Sequence, residues 1–303
     1  MTLATNDTAT KTEARGPQDA NFMDIRLEVD SGCTLGEGPL WVPHTGCLWW
    51  VDILKAHLHC LDTETGSHIQ RELPTALTAL GLHADGGFIG TLWDRFVRLD
   101  EDMEIVQDWG VQEPDLPENR FNDGKVDAAG RFWAGTMHAD LEHKSGSLYR
   151  MLDDVITRHD DGYQVTNGPT FSPDGKVLYH TSTMERVIFA FDVDARGDLS
   201  NKRVFARVPV EEGKPDGMTV DEQGDIWMGH YGGGRITRFG PDGQVKDQVI
   251  MPVTNITSCT FGGANLDRMY VTTAADGVDE AHGGGLFSFN PGVKGLPPAY
   301  YRG

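Results

Sequence analysis

Within six residues, Arg120-Phe121-Asn122-Asp123-Gly124-Lys125, the chain places a guanidinium, an amide, a carboxylate and an ammonium around one glycine. A segment so dense in hydrogen-bonding groups, ahead of a short apolar run from Phe132 to Gly135, reads as a polar loop at the mouth of a strand. Three other segments carry isolated oxygen donors beside glycine: Glu37 in Leu35-Gly36-Glu37-Gly38-Pro39, Asn167 in Thr166-Asn167-Gly168-Pro169, and Asp216 in Pro215-Asp216-Gly217-Met218. Each alone reads as turn chemistry or as a solvated loop carboxylate. Together they offer two carboxylates and an amide oxygen. That donor set suits a hard divalent cation such as Ca²⁺, Mg²⁺ or Mn²⁺, and Zn²⁺ also accepts it.

Residues so far apart in sequence meet only if a repeating scaffold places them at equivalent points. The chain has such a repeat. A turn leads into two or three large apolar residues, then a loop, then an alternating strand. The turns are marked by Gly46, Gly86, Gly130, Gly175, Gly224 and Asp267, spaced by about 40 to 49 residues. Trp49, Trp50, Trp133 and Trp227 fall in the apolar strands and read as core. A period in the forties built from short strands predicts an all-β chain, a six-bladed β-propeller. No helical periodicity of useful length competes with it. Loops converge on the central channel of a propeller, so Glu37, Arg120, Asn122, Asp123, Asn167 and Asp216 are predicted to share one mouth, with Glu37, Asn167 and Asp216 as a central metal site. Residues 1–20, poor in large apolar groups, predict a disordered N-terminal tail. Residues 21–303 predict one propeller domain, whose first strand is the alternating run from Phe22 to Val29.

Bulk composition narrows the partners. The chain has 303 residues, 37 of them glycine, and a formal net charge of −20. That charge repels nucleic acid and anionic membrane surfaces, so neither is expected as a partner. The four cysteines, Cys33, Cys47, Cys60 and Cys259, form no Cys-x-x-Cys pair, which argues against structural zinc. No signal-like or bilayer-length apolar run occurs, so a cytoplasmic protein with free thiols is expected. The glycine runs Gly232-Gly233-Gly234 and Gly283-Gly284-Gly285 open no helix and predict no phosphate cradle. No Gly-x-Ser-x-Gly element supports a serine hydrolase. His138, at a strand end near the proposed mouth, reads as a loop histidine or a donor to the site. Trp93-Asp94 is a lone Trp-Asp dipeptide, so the repeats lack the recurring Trp-Asp signature of peptide-binding propellers. Oligomeric state is not legible.

The motifs Leu35-Gly36-Glu37-Gly38-Pro39, Arg120-Phe121-Asn122-Asp123-Gly124-Lys125, Asn167-Gly168-Pro169 with Phe171-Ser172-Pro173-Asp174-Gly175, Pro215-Asp216-Gly217-Met218, Thr257-Ser258-Cys259 with Phe261-Gly262-Gly263, and the terminal Gly295-Leu296-Pro297 resemble the gluconolactonase, regucalcin and luciferin-regenerating enzyme family. The resemblance runs from about Glu28 to the end. It implies one divalent metal in the channel, Ca²⁺ first, with Zn²⁺, Mn²⁺, Mg²⁺ or Fe²⁺ as alternatives. Glu37, Asn167 and Asp216 match the family's ligands, and Arg120 and Asn122 match its substrate-binding pair. A further substrate-contacting acid falls on Asp140, with Glu142 as the alternative, and Asn167 touches both metal and substrate. The implied activity is hydrolysis of a sugar-acid lactone to the open-chain acid. Asp216 fits as general base to a water near the metal, and the metal polarises the carbonyl. The alternatives are a calcium-binding regulatory protein and a propeller esterase for non-sugar lactones.

Overall fold

A computed structural model describes residues 24–303. The predicted tail, with Phe22 and Met23 of the predicted first strand, lies outside the described residues. The described residues form six sheets, each built on four antiparallel strands, and Tyr300–Tyr301 adds a fifth, parallel strand to the second, beside Leu77–His83. Blade 1 runs Gly36–Val42, Cys47–Asp52, His57–Asp62 and His68–Glu72. Blade 2 runs Leu77–His83, Phe88–Leu92, Arg95–Leu99 and Ile105–Val111. Blade 3 runs Asn119–Val126, Phe132–His138, Gly146–Leu152 and Val155–Tyr163. Blade 4 runs Thr166–Phe171, Val177–Ser182, Val187–Val193 and Leu199–Arg207. Blade 5 runs Lys214–Val220, Ile226–Tyr231, Arg235–Phe239 and Val245–Ile250. Blade 6 takes Ile256–Gly262, Arg268–Thr273 and Leu286–Phe289, and is completed by Arg26–Val29 from the other end of the chain. The first strands of successive blades touch in ring order, so they form the wall of a central channel. The structure is a six-bladed β-propeller. Among the described residues there is no α-helix, only one short 3₁₀ turn at Val210–Glu212, and no helix long and apolar enough to cross a membrane.

There is no single core. Six buried apolar clusters each join one blade to the next. One packs Val42, Val51 and Leu58 of blade 1 against Leu77, Leu80 and Val97 of blade 2, and another packs Trp227 and Ile236 of blade 5 against Ile256 and Val271 of blade 6. This explains the strand patterns. Inner and second strands are covered on both faces, so Leu77–His83 and Phe132–His138 are buried throughout. Outermost strands face water, and His68–Glu72 is mostly exposed. Trp50, Trp133 and Trp227 are fully buried between blades, while Trp49 is half-buried against Phe88 with ring centroids 5.6 Å apart. An indole in such a place needs a partner for its N–H. Trp133 donates to Asp127 Oδ2 at 2.9 Å and Trp227 to Asp221 Oδ2 at 3.0 Å, so blades 3 and 5 use the same device.

The turn markers need one correction. The Gly130 N–H donates to the Asp127 carbonyl, and the Gly224 N–H to that of Asp221. In the sixth repeat the equivalent bond runs from Leu266 to Gly263, and Leu266 carries the left-handed φ of 55°. Asp267 is therefore one residue past the true marker, displaced because no glycine fills that turn.

Candidate metal and substrate site

The polar segments predicted as loops are strands. Arg120 to Lys125 lies within Asn119–Val126, Glu37 within Gly36–Val42, Asn167 within Thr166–Phe171 and Asp216 within Lys214–Val220. Each is the innermost strand of its blade. All six inner strands lose register with their neighbours, but not equally. In blades 2 and 6 one residue drops out of the ladder, Thr78 or Thr257. In blades 1, 3, 4 and 5 two residues drop out: Gly38-Pro39, Asn122-Asp123, Gly168-Pro169 and Asp216-Gly217. Bulges re-aim side chains. The four wider bulges either hold predicted site residues, as with Asn122, Asp123 and Asp216, or directly follow one, as with Glu37 and Asn167. Gly38 and Gly168 occupy them at φ of 55° and 72°, where a side chain would strain the backbone.

The structure links Arg120, Asn122 and Asn167 in one hydrogen-bonded chain. Arg120 Nη1 donates to Asn122 Oδ1 at 2.8 Å and to the Phe121 carbonyl at 2.8 Å. Asn122 Nδ2 donates to Asn167 Oδ1 at 2.8 Å and to the Thr166 carbonyl at 2.7 Å. Asn167 Nδ2 donates to Thr183 Oγ1 at 2.9 Å, which leaves its Oδ1 turned toward the site. The Arg120 guanidinium lies 5.5 Å from the Trp93 ring centroid, a stacked contact. Glu37 senses the charges of Asp216, Asp123 and Arg120, so these groups face each other across the ring.

Burial dominates the electrostatics. Glu37, Arg120, Asn122, Asp123, Asn167 and Asp216 are all between 3% and 7% exposed. Desolvation pushes the Glu37 carboxyl well above its usual range, and repulsion from Asp216 and Asp123 adds to it. Asp216 is raised for the same two reasons, burial first and Asp123 second. Burial pushes Asp123 up to about 7, opposed by the Lys125 ammonium. Lys125 is lowered by burial and donates to the Met218 carbonyl at 2.7 Å. Burial also lowers Arg120 to about 10, still a cation at neutral pH.

Three buried carboxylates against the buried Arg120 and the half-buried Lys125 leave an uncompensated negative charge. Asp216 Oδ1 is buried without any hydrogen-bond partner among the described residues. An unpaired buried carboxylate oxygen is costly, and a cation relieves it. The residues present therefore fit a divalent cation. Glu37, Asn167 Oδ1 and Asp216 would hold it, and such an all-oxygen set suits Ca²⁺ or Mg²⁺.

Two cavities flank the set. One, of about 250 Å³, is lined by Arg120, Trp93, Glu113, Asn119 and Thr136. The other, of about 150 Å³, is walled by the inner strands and capped by Leu296 to Ala299, with Asp123 and Lys125 in its lining. Asp140 stands apart. It is exposed in the turn after Phe132–His138, and its N–H donates to His138 Nδ1 at 3.3 Å. Among the described residues, no hydrogen bond joins the carboxylates of Asp140 or Glu142 to Arg120, Asn122, Asn167 or Asp216. Sequence reasoning placed Asp123 at the mouth without a ligand or substrate role, and in register it matches Pro39, Pro169 and Gly217 of the other wide bulges. Lys125, Trp93 and Thr183 were given no role, because they act through geometry that only the closed ring creates.

The fold and this buried, acid-rich centre on the inner strands define a six-bladed propeller with a polar central site. Residues 35–275 match the SMP-30/gluconolactonase/LRE-like region, and the chain belongs to that family. It is 36% identical over 295 residues to regucalcin of Oryctolagus cuniculus, which covers 92% of this chain and 98% of that one. A solved regucalcin of Agrobacterium tumefaciens, described as a calcium-binding protein, superimposes with a TM-score of 0.87 at 29% identity, covering 92% of this chain and 98% of that one. A luciferin-regenerating enzyme superimposes with a TM-score of 0.83 at 29% identity, covering 90% and 97%.

Proposed function

We propose that the protein is a metal-dependent lactonase that opens the internal ester of a sugar-acid lactone. The observation that carries this reading is the unpartnered Asp216 Oδ1 beside Asn167 and Glu37, next to a stacked Arg120 at the wall of an open cavity. When bound, the cation supplies Lewis-acid polarisation of the ester carbonyl. The chain's own groups do the rest. Asp216, whose Oδ1 has no hydrogen-bond partner among the described residues, takes a proton as water adds to the carbonyl carbon. The ring C–O bond then breaks, and the proton passes to the departing alkoxide, giving the open hydroxy acid. Arg120 presents a planar fork of donors to the ring hydroxyls, held flat by Trp93 and Asn122. Both Asn122 amide hydrogens are engaged, so a hydroxyl reaches it only through its Oδ1 lone pair. The Trp93 face and Glu113 in the adjoining cavity fit a polyhydroxylated ring. Asp140 and Glu142 remain proposals for contact with the far end of such a substrate. Four free thiols fit a cytoplasmic setting.

The test is acid release from a panel of pentono- and hexonolactones. Chelator-stripped protein would receive Ca²⁺, Mg²⁺, Mn²⁺, Fe²⁺ or Zn²⁺ singly, with Asp216→Ala alongside. Metal-restored turnover that vanishes in the variant supports the reading. Rates no faster than spontaneous hydrolysis with every metal overturn it for these substrates. The Agrobacterium tumefaciens relative, described as a calcium-binding protein, favours one alternative, a regulatory calcium binder. That reading expects tight Ca²⁺ binding and no turnover.

A further inference from the structure

We propose that His138, Glu142 and His143 form a second metal site, rich in nitrogen, which takes Zn²⁺, Co²⁺ or Ni²⁺ and discriminates against Ca²⁺. The three side chains each offer one ligand atom, and these atoms lie within 4.8 Å of one another. Ligands around a tetrahedral zinc at 2.0–2.1 Å stand roughly 3.4 Å apart, so small side-chain rotations close the site. No residue of this group belongs to the central set.

The chain builds this group deliberately. His138 ends a fully buried strand and is itself buried, so one ligand sits on a rigid element. The chain then hooks back: Leu141 adopts a left-handed φ of 60°, and its N–H donates to the His138 carbonyl at 3.1 Å. A leucine pays for that conformation in strain. The hook returns Glu142 and His143 over His138, with the two imidazole rings perpendicular and their centroids 5.0 Å apart. Neighbours tie it down, since Gln164 Nε2 donates to the Leu141 carbonyl and Lys144 pairs with Glu185 of blade 4. The backbone N–H groups of Asp140 and Glu142 reach His138 Nδ1 only at 3.3 and 3.4 Å. Those contacts are longer than ordinary N–H hydrogen bonds and hold the imidazole lone pair weakly.

The donor chemistry selects the ion. Two imidazoles and one carboxylate recur in catalytic zinc sites and suit borderline metals, with Ni²⁺ and Zn²⁺ above Co²⁺ in the usual affinity order. Calcium wants six to eight oxygens, which this group cannot give. Glu142 and His143 are exposed, so water completes the coordination.

The test keeps the central site out of the count. Full-length, chelator-stripped protein in saturating Ca²⁺ would be dialysed against Zn²⁺, and separately titrated with Co²⁺ while visible d–d absorption is read. We expect the wild type to bind one Zn²⁺ per chain more than His143→Ala, and the Co²⁺ band to be lost in that variant. Histidine ¹H–¹⁵N spectra should show the His138 and His143 rings shifting with Zn²⁺. His143 is exposed, so the variant folds. Equal Zn²⁺ stoichiometry in the two proteins, or unshifted histidine rings, overturns the proposal whether or not any lactone is hydrolysed.

Discussion

Asn122 Nδ2 lies 2.8 Å from Asn167 Oδ1 on the neighbouring blade, while Asn122 Oδ1 accepts from Arg120 at 2.8 Å. One amide thus couples the guanidinium offered to substrate with the amide oxygen offered to a cation. Partners behind a metal ligand typically set affinity by ten- to a hundredfold. We expect Asn122→Ala to weaken cation binding by about tenfold or more as well as lowering kcat/KM. Calorimetric titration of stripped protein with Ca²⁺ or Mn²⁺ checks it. Unchanged metal affinity would leave Asn122 with a substrate role alone.

Arg120 is held by its planarity: stacked on Trp93 and bonded to two oxygens through Nη1. Lysine keeps the charge but loses the stack and the fork. We expect Arg120→Lys to lower kcat/KM for the best lactone by about a hundredfold, since orientation is what it removes. Its cation affinity should stay within about threefold of wild type, because Arg120 touches no proposed ligand atom directly. Parallel kinetics and titration separate the two effects.

The raised carboxyls make the metal-free protein sensitive to pH. A carboxyl whose pKa is raised on folding favours the folded state while protonated. That contribution is present below the ordinary carboxylate range, near 4, and is lost as pH rises through the folded value, about 7 for Asp123. Glu37 and Asp216 shift in the same direction. In chelator, thermal stability should therefore fall as pH is raised across this window. A bound cation favours the ionised forms, so saturating Ca²⁺ should flatten or reverse the trend. Scanning calorimetry against pH, with and without Ca²⁺, reads both. A pH-independent midpoint in chelator would contradict the shifts.

Asp221 anchors blade 5 far from the polar centre. It is fully buried and accepts from Trp227 Nε1 at 3.0 Å and Arg238 Nη2 at 2.8 Å. Removing it strands a buried indole N–H and part of a guanidinium. Breaking such a buried pair costs about 3–5 kcal/mol. We expect Asp221→Ala to lower Tm by about 10 °C while activity per folded molecule stays near wild type. Asp127→Ala, which frees Trp133 and Arg131 in blade 3, should behave alike.

The ring was readable in the sequence because each blade repeats the same local physics. A tight turn, a doubly covered strand and a half-covered partner strand recur six times, and all six second and third strands fall where the pattern puts them. The site residues were readable by type and order. Their setting was not. Arg120 to Lys125 looks like a loop because it is polar and contains glycine, yet those groups are buried in a strand that has left its ladder for two residues. Polarity marks a loop only when water satisfies it; here neighbouring blades do. Asp140 shows the opposite limit, since counting along a motif places a residue in sequence without placing its carboxylate in space. The His138 cluster stayed invisible because it depends on a left-handed leucine, which no residue pattern announces.

Blade 6 is assembled from both ends of the chain, with Arg26–Val29 paired to Leu286–Phe289 and Arg268 Nη2 reaching Glu28 Oε1 at 3.1 Å. On a ribosome, which releases the chain from its first residue onward, the ring cannot shut until Leu286–Phe289 has emerged to meet Arg26–Val29. Glu37, Asn167 and Asp216 are all made earlier, on blades that must wait side by side with one edge of the sixth still missing. Birth order therefore separates having the binding groups from having the closed ring that buries them.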